Sequence, residues 1–101
     1  MAKGLKSPEI IWLRRALRNL DEEASHIVKD DPKAASLIVE RIMHAVDLLA
    51  GQPALGKPGR VPGTRELQVA RTRYLIPYRL RANRVEILRV FHTSRKPPAK
   101  W

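Results

Sequence analysis

The spacing of apolar residues changes once along this chain, and the change divides it into a helical half and a strand-forming half. Up to residue 50 the apolar residues recur every three or four positions, as one face of a helix requires. After residue 64 they alternate with polar residues or form short runs, as in strands. A Gly- and Pro-rich segment, 51–64, separates the halves and is expected to be a basic loop. The pattern therefore predicts an α+β fold.

Two helices are predicted in the first half, at about 13–29 and 32–50. Asp31 and Pro32 stop the first helix and start the second, because proline fits the first turn of a helix but not its interior. Gly51 lies just past the end, where glycine adopts a left-handed cap at little cost. Helices joined by so short a break should pack as an antiparallel hairpin.

The remaining elements are predicted to be strands. Residues 9–14 fit either a short strand or the first turns of a helix. Three later segments have strand-like patterns: 65–69, 74–80 and 85–92. Ala82-Asn83 fits a hairpin turn, since asparagine tolerates a positive φ. Pro77 has no N–H to donate and therefore indicates a bulge or an unpaired edge in the middle strand.

The charge divides at the same place as the hydrophobic pattern. Residues 1–50 carry eight Lys/Arg and eight Asp/Glu, whereas residues 51–101 carry twelve Lys/Arg against only Glu66 and Glu86. The formal net charge is +10. Segregated positive charge favours nucleic acid, or a complex rich in it, as the partner. An acidic protein partner is equally compatible, and a basic but inert surface is the remaining alternative.

Cysteine usage and apolar runs limit the setting of the protein. The chain has no cysteine, which excludes disulfides, thiol catalysis and Cys-based metal sites and suits a reducing cytoplasm. No apolar run approaches the length of a membrane span. Residues 1–6 are basic but lack a following apolar core, so a signal peptide is not expected. We therefore expect a cytoplasmic chain of one domain, 1–101, with no membrane partner.

His92 is the best single candidate for acid–base chemistry, because it follows a buried-looking strand and histidine is the residue type suited to proton transfer near neutral pH. The alternative is a histidine that only hydrogen-bonds the backbone. His26 and His44 have no partner at metal-ligand spacing, and no phosphate-binding glycine loop is present. Neither a metal nor a cofactor is predicted.

Arginines on or beside the strands are the other candidates, because guanidinium groups bind phosphate in a bidentate way and stack on bases. They are Arg65, Arg73, Arg79, Arg81, Arg84, Arg89 and Arg95, and the loop adds Lys57 and Arg60. Tyr74 and Tyr78 share one face of their strand. They either stack on bases or, as we expect for an α+β sheet, pack on the helices.

Three segments together carry a family resemblance. They are Leu55–Leu67 (LGKPGRVPGTREL), Tyr74–Leu80 (YLIPYRL) and Val85–His92 (VEILRVFH). Their order and spacing closely resemble the RelE/ParE superfamily, the toxins of bacterial type II toxin–antitoxin modules. The resemblance covers about 8–95 and leaves a basic tail, 96–101, for which a disordered end and an arm that docks on a partner are both open.

The resemblance implies a fold and a partner. Members have a β-α-α-β-β-β order, with an N-terminal strand, an antiparallel helical hairpin and a three-strand antiparallel segment that completes one sheet. This favours the strand interpretation of residues 9–14. The implied partner is a cognate antitoxin whose C-terminal segment lies on the helical hairpin and the sheet, where amphipathic helices would offer an apolar groove.

The superfamily divides by target, and two departures separate the branches here. RelE-type members cut mRNA on the ribosome, whereas ParE-type members inhibit DNA gyrase. Leu75 stands where RelE-like nucleases typically carry an arginine, and no tyrosine follows His92. The segment Val90–Arg95 (VFHTSR) instead resembles the ending common in ParE-like chains.

We therefore favour a ParE-like toxin that binds gyrase. The alternative is a RelE-like mRNA endonuclease, in which His92 is the acid or base and Arg65, Arg79 and Arg95 contact phosphate. In either case the residues expected to meet the target or its nucleic acid are Lys57, Arg60, Arg73, Arg81 and Arg89. A third possibility is an inactive or regulatory member that retains antitoxin binding.

Overall fold

Two α-helices pack against one face of a six-stranded sheet in the computed structural model, which describes residues 7–101. The elements are β1 Glu9–Trp12, α1 Arg14–Asp30, α2 Pro32–Leu48, β2 Lys57–Pro58, β3 Arg65–Gln68, β4 Tyr74–Arg81, β5 Arg84–Ile87 and β6 Phe91–His92. The predicted α+β class, with helices before the main part of the sheet, is confirmed. Within 7–101 no helix has the length and apolar character needed to cross a membrane. Residues 1–6, on which the signal-peptide argument rests, lie outside the described part.

The sheet is mixed, with the strand order β1-β5-β4-β3-β2. Residues 9–12 form a strand, as the resemblance implies, and β1 runs parallel to β5 with Ile10 beside Val85. The other strand pairs are antiparallel. The helical hairpin carries the chain from β1 back to the sheet, where β5 and not the next strand in sequence becomes the neighbour of β1.

The break between the helices is confirmed, but the predicted end of the second helix is wrong. Asp31 caps α2: its Oδ1 accepts a hydrogen bond from the Ala34 N–H at 3.1 Å, and Pro32 occupies the first turn. The helix ends at Leu48 rather than Ala50. The turn that follows is closed by hydrogen bonds from Gly51 and Gln52 to the Leu48 carbonyl. Gly51 therefore does not form the left-handed cap, and Gly63 is the only glycine of residues 7–101 with a positive φ.

The strand predictions hold in outline and differ in two details. The predicted strand 85–92 is two strands, because residues 88–90 interrupt its pairing with β4. Pro77 lies opposite this interruption, where its carbonyl accepts a hydrogen bond from the Leu88 N–H. The missing proline donor therefore falls at a break in the ladder, as expected. The predicted loop 51–64 also contains the short strand β2, which pairs with β3.

The β4–β5 hairpin turn is confirmed at Ala82-Asn83. Arg81 pairs with Arg84, so the turn has two residues. Both turn residues have a positive φ, 50° for Ala82 and 58° for Asn83, as a type I′ turn requires. The hairpin thus fixes the register of the two central strands.

The hydrophobic core lies between the helices and the sheet. It is made of Ala16, Ile42, Val46, Leu49, Leu67, Val69, Tyr74, Ile76, Tyr78, Val85, Ile87 and Val90. Tyr74 and Tyr78 are 4% and 0% exposed, so they pack on the helices as expected. The alternative interpretation, that they stack on bases, is wrong because their rings are not accessible.

Candidate functional site

His92 lies at a corner of the molecule where the C-terminal segment meets α1. Its ring makes an edge contact with the Tyr74 ring, with centroids 5.1 Å apart. Its Nδ1 lies 2.6 Å from the Ser94 hydroxyl oxygen. These contacts belong to a cleft of about 360 Å³ that is also lined by residues of α1.

Glu23 of α1 connects the parts of this corner. Its carboxylate accepts a hydrogen bond from the Tyr74 hydroxyl at 2.7 Å and pairs with the Arg95 guanidinium at 2.9 Å. Glu23 is the only charged residue counted as buried among residues 7–101. Burial, followed by the hydrogen bond to Glu23, raises the pKa of Tyr74 far above its ordinary value of 10.0. Tyr74 therefore stays protonated and donates to the carboxylate.

The structure brings two of the four proposed catalytic residues together and separates the others. His92 and Arg95 line the same cleft. Arg79 points from the opposite face of the sheet, where its guanidinium pairs with Glu86. Arg65 donates to the carbonyls of Gly56 and Ala54 and so holds the loop before β2. Arg65 and Arg79 are both engaged by their own chain.

The residues expected to contact a target are also scattered. Lys57, Arg73 and Arg81 have exposed side chains, on β2, before β4 and at the end of β4. Arg60 and Arg89 instead donate hydrogen bonds to the main chain of the tail, residues 96–101. The tail therefore folds back on the protein and is not a loose arm.

An apolar groove runs between α2 and the outer part of the sheet and has a volume of about 810 Å³. Leu37 and Leu48 of α2 and Leu55 of the following loop line it, and they are 46%, 41% and 43% exposed. Three leucines with so much exposed surface in one groove form an unpartnered apolar surface, which is typical of a binding site for another chain.

The edge of the sheet beside this groove is open. The short strand β2 pairs only with Arg65 and Glu66 of β3. Alternation along β3 directs the backbone groups of Leu67 toward β4 and those of Gln68 outward. Beyond Glu66 the described residues place no strand against this edge. An extended peptide therefore has both an apolar groove and a strand edge to bind.

The family model of the ParE toxin of the type II toxin–antitoxin system, parDE, matches residues 10–97. The chain belongs to the ParE toxin family. This toxin is 53% identical over 89 residues to a Sinorhizobium fredii protein named "Putative toxin Y4kP", a match that covers 88% of this chain and 92% of the relative.

Solved structures agree with the family assignment. A chain of the chromosomal ParDE toxin–antitoxin system of P. aeruginosa superposes with a TM-score of 0.78 at 29% identity, covering 85% of this toxin and 96% of that chain. A chain of the RelBE2 toxin–antitoxin complex of Mycobacterium tuberculosis superposes with a TM-score of 0.58 at 28% identity, covering 87% of this toxin and 93% of that chain. The predicted RelE/ParE superfamily, with greater similarity to ParE, is confirmed.

Two functional features were missed from the sequence of this toxin. Glu23 reads as a solvated acid on a helix, and its partner Tyr74 lies 51 residues away. The signal that could have found it is position: Glu23 is one turn from Leu20 and Ile27, on the apolar face of α1. The docking of the tail had no comparable signal beyond the aromatic Trp101.

Proposed function

We propose that this ParE-family toxin arrests growth by binding DNA gyrase and does not act as an enzyme. Family membership carries the proposal, because ParE-type members of the superfamily inhibit gyrase. A second observation supports it. Leu75, at the position where RelE-like nucleases carry an arginine, pairs with Phe91 on the sheet face opposite Tyr74. No guanidinium is available at that point of the strand.

One observation favours the alternative, an mRNA endonuclease that acts on the ribosome. His92 and Arg95 share a cleft, and a histidine beside an arginine suits proton transfer next to a phosphate. In the structure, however, Arg95 already pairs with the buried Glu23. One side of the Arg95 guanidinium is therefore already engaged by its own chain, and the ion pair would compete with a phosphate for it.

Expression without an antitoxin separates the two functions. A gyrase-binding toxin should cause filamentation and DNA damage and should remain toxic as His92→Ala. The endonuclease should instead stop translation with codon-phased cuts in mRNA, and His92→Ala should abolish them. Codon-phased cuts that are lost in the variant would therefore exclude the gyrase proposal.

We further propose that a cognate antitoxin binds in the apolar groove, with an extended segment against the open edge of β3. The leucine-rich lining of the groove fits apolar side chains of such a segment. Its basic lining residues Arg41, Lys57 and Arg71, which outnumber Glu40 and Glu66, fit acidic ones. The structural relatives described above come from a ParDE toxin–antitoxin system and from a RelBE2 toxin–antitoxin complex.

A matched pair of surface leucines tests the groove. Leu48→Asp places a carboxylate in it and should weaken antitoxin binding by about 10- to 100-fold, since apolar burial is replaced by an unpaired charge. Leu80→Asp changes a leucine of similar exposure, 47%, at the far end of β4 and should leave the affinity unchanged. Calorimetric titration of each purified variant with antitoxin measures the difference. Equal affinities would place the antitoxin elsewhere.

A further inference from the structure

The tail is held by three arginines that come from different parts of the fold. Arg60, in the loop after β2, donates to the Pro98 carbonyl at 2.5 Å and more weakly to that of Ala99 at 3.4 Å. Arg15 of α1 and Arg89, between β5 and β6, both donate to the main-chain oxygen of Trp101, at 2.8 and 2.9 Å. The tail thus occupies a place where three guanidinium groups converge.

This convergence creates a site for negatively charged oxygen. Two guanidinium groups that share one oxygen repel each other unless that oxygen carries negative charge. Burial, with a smaller contribution from Arg15, lowers the pKa of Arg89. The carboxylate of Glu66, on β3, binds the main chain of Arg60 rather than a guanidinium group, since its Oε2 accepts a hydrogen bond from the Arg60 N–H. The guanidinium groups of Arg15, Arg60 and Arg89 therefore form a concentrated positive site, which oxygens of the tail occupy in the docked state.

The indole of Trp101 holds the tail in this site. Its ring makes an edge contact with Phe91, with centroids 5.3 Å apart, and the Arg60 guanidinium lies 4.9 Å from the ring centroid. Its Nε1 is buried, and residues 7–101 offer it no hydrogen-bond acceptor. A buried donor without a partner weakens the docked state. The ring contacts of Trp101 thus favour the docked tail, whereas its buried Nε1 donor disfavours it.

We propose that residues 96–101 are a displaceable strap over a phosphate-binding site formed by Arg15, Arg60 and Arg89, and that the backbone of nucleic acid displaces the strap. Planar guanidinium groups match phosphate oxygens in a bidentate way. Displacement also frees Lys96 and Lys100, both exposed, to follow the backbone. The inference extends the proposed function, because a gyrase–DNA complex would supply the phosphates, but the site can be tested without gyrase.

Two substitutions of the anchoring residue test the strap. Trp101→Ala removes both ring contacts, whereas Trp101→Phe keeps an aromatic ring against Phe91. If the strap competes with nucleic acid, the alanine variant should bind duplex DNA about tenfold more tightly than the wild type, and the phenylalanine variant should not. Fluorescence anisotropy with a labelled duplex at fixed low salt measures both. An alanine variant that binds no more tightly than the phenylalanine variant overturns the strap.

The phosphate site has its own test in the strap-free background. Adding Arg15→Ala to Trp101→Ala should reduce the slope of log K against log salt by about one, as expected for the loss of one phosphate contact. An unchanged slope would show that Arg15 contacts no phosphate and would overturn the site. If Trp101→Ala gained affinity for polyglutamate but not for duplex DNA, the site would bind protein carboxylates, which would contradict the proposal.

Displacement itself can be observed directly, because the chain has only two tryptophans. In a Trp12→Phe variant, the emission of Trp101 should move to longer wavelength as duplex DNA is added, since the indole leaves its partly buried position. Emission that stays constant at saturating DNA would contradict displacement. Gyrase supercoiling assays are independent of these measurements, so failure of the strap and failure of the gyrase proposal can be told apart.

Discussion

The sheet face toward the helices carries buried Tyr74, Ile76 and Tyr78 from β4, whereas the other face of the same strand carries Arg79 paired with Glu86. On the helix face, the contacts are mostly between apolar side chains that are buried. On the open face, beside buried Pro77 and the contact of Phe91 with Trp101, they join charged groups to each other and to main-chain oxygens. The difference indicates that stability resides on the helix face, while the open face is free to exchange its own contacts for those of a partner.

Two glycines near the edge of the sheet differ in the same way, one in a tightly packed place and one in open space. A Cβ on Gly56 would meet Cε1 and the hydroxyl oxygen of Tyr78 at 2.7 and 2.9 Å, whereas a Cβ on Gly51 would meet nothing within 4 Å. The Tyr78 hydroxyl also donates to the Pro53 carbonyl and accepts from the Gly56 N–H. The loop before β2 is therefore fastened to the buried face, although it borders the open groove.

The largest expected effect comes from comparing two apolar residues of β4. Ile76→Ala should reduce the free energy of unfolding by about 2–5 kcal/mol, because Ile76 is fully buried and its removal leaves a cavity. Leu80→Ala, on the same side of the strand but 47% exposed, should cost less than about 1 kcal/mol. Urea denaturation measures both values. Equal losses would contradict the assignment of stability to the buried part of this face.

A smaller effect is expected at the fastened loop. Gly56→Ala should destabilise the protein by about 1–3 kcal/mol, since the new methyl group must displace Tyr78 or the Glu66 carbonyl. Gly51→Ala is the control and should be neutral or stabilising by up to about 1 kcal/mol, because it has open space and no positive φ. Thermal unfolding of the two variants side by side would show whether the loop is fastened as described.

Alkaline pH should weaken the helix face through its two tyrosines. Burial raises the pKa of both Tyr74 and Tyr78 above 10.0, so their contribution is complete below pH 10 and is lost as the pH rises further. The free energy of unfolding should therefore fall above about pH 10, by at most about 1.4 kcal/mol per pH unit for each tyrosine. The free energy of unfolding of the Tyr74→Phe variant should fall less steeply with pH than that of the wild type. Parallel curves would show that Tyr74 is not linked to folding.

The smallest change is expected on the open face. The hydrogen bond from Arg79, opposed in part by desolvation, lowers the pKa of Glu86 below 4.5. The stabilisation that the pair of Arg79 and Glu86 gives to the folded state is therefore present above pH 4.5 and is lost as the pH falls below it. Arg79→Ala should destabilise the protein slightly at neutral pH, because the Arg79 side chain is 35% exposed, and not at all in acid, where Glu86 is protonated. Denaturation of wild type and variant at both pH values provides the check, and a large loss would mean that the open face also carries stability.

Much of the fold follows from local signals in the sequence. Apolar spacing predicted both helices, and Asp31-Pro32 and Ala82-Asn83 marked their break and the hairpin turn, because proline and positive φ restrict the backbone locally. The split of 85–92 was missed, since Leu88 and Val90 are buried in the interruption and continue the apolar pattern of a strand. Strand β2 was missed because two residues in a Gly- and Pro-rich segment have no periodicity.

Only those features of the candidate site that the family resemblance implies could be predicted from the sequence. The resemblance identified the toxin class and the kind of partner. It could not place Arg60 and Arg89 under the tail or Arg95 against Glu23, because these contacts join residues far apart in sequence. Long-range pairing of charged groups depends on the tertiary fold, and the composition of this chain gives no means to choose among its twelve basic residues after residue 50.

The proposed binding of gyrase can be measured by the supercoiling of relaxed plasmid with purified gyrase. We expect dose-dependent inhibition by the wild-type toxin, which cognate antitoxin reverses. Leu48→Asp should inhibit equally, but the antitoxin should reverse its inhibition poorly, because the substitution alters only the groove. Full supercoiling in the presence of excess folded toxin, with codon-phased cleavage of mRNA on ribosomes by the same preparation, would show that the toxin is an endonuclease and not a gyrase inhibitor.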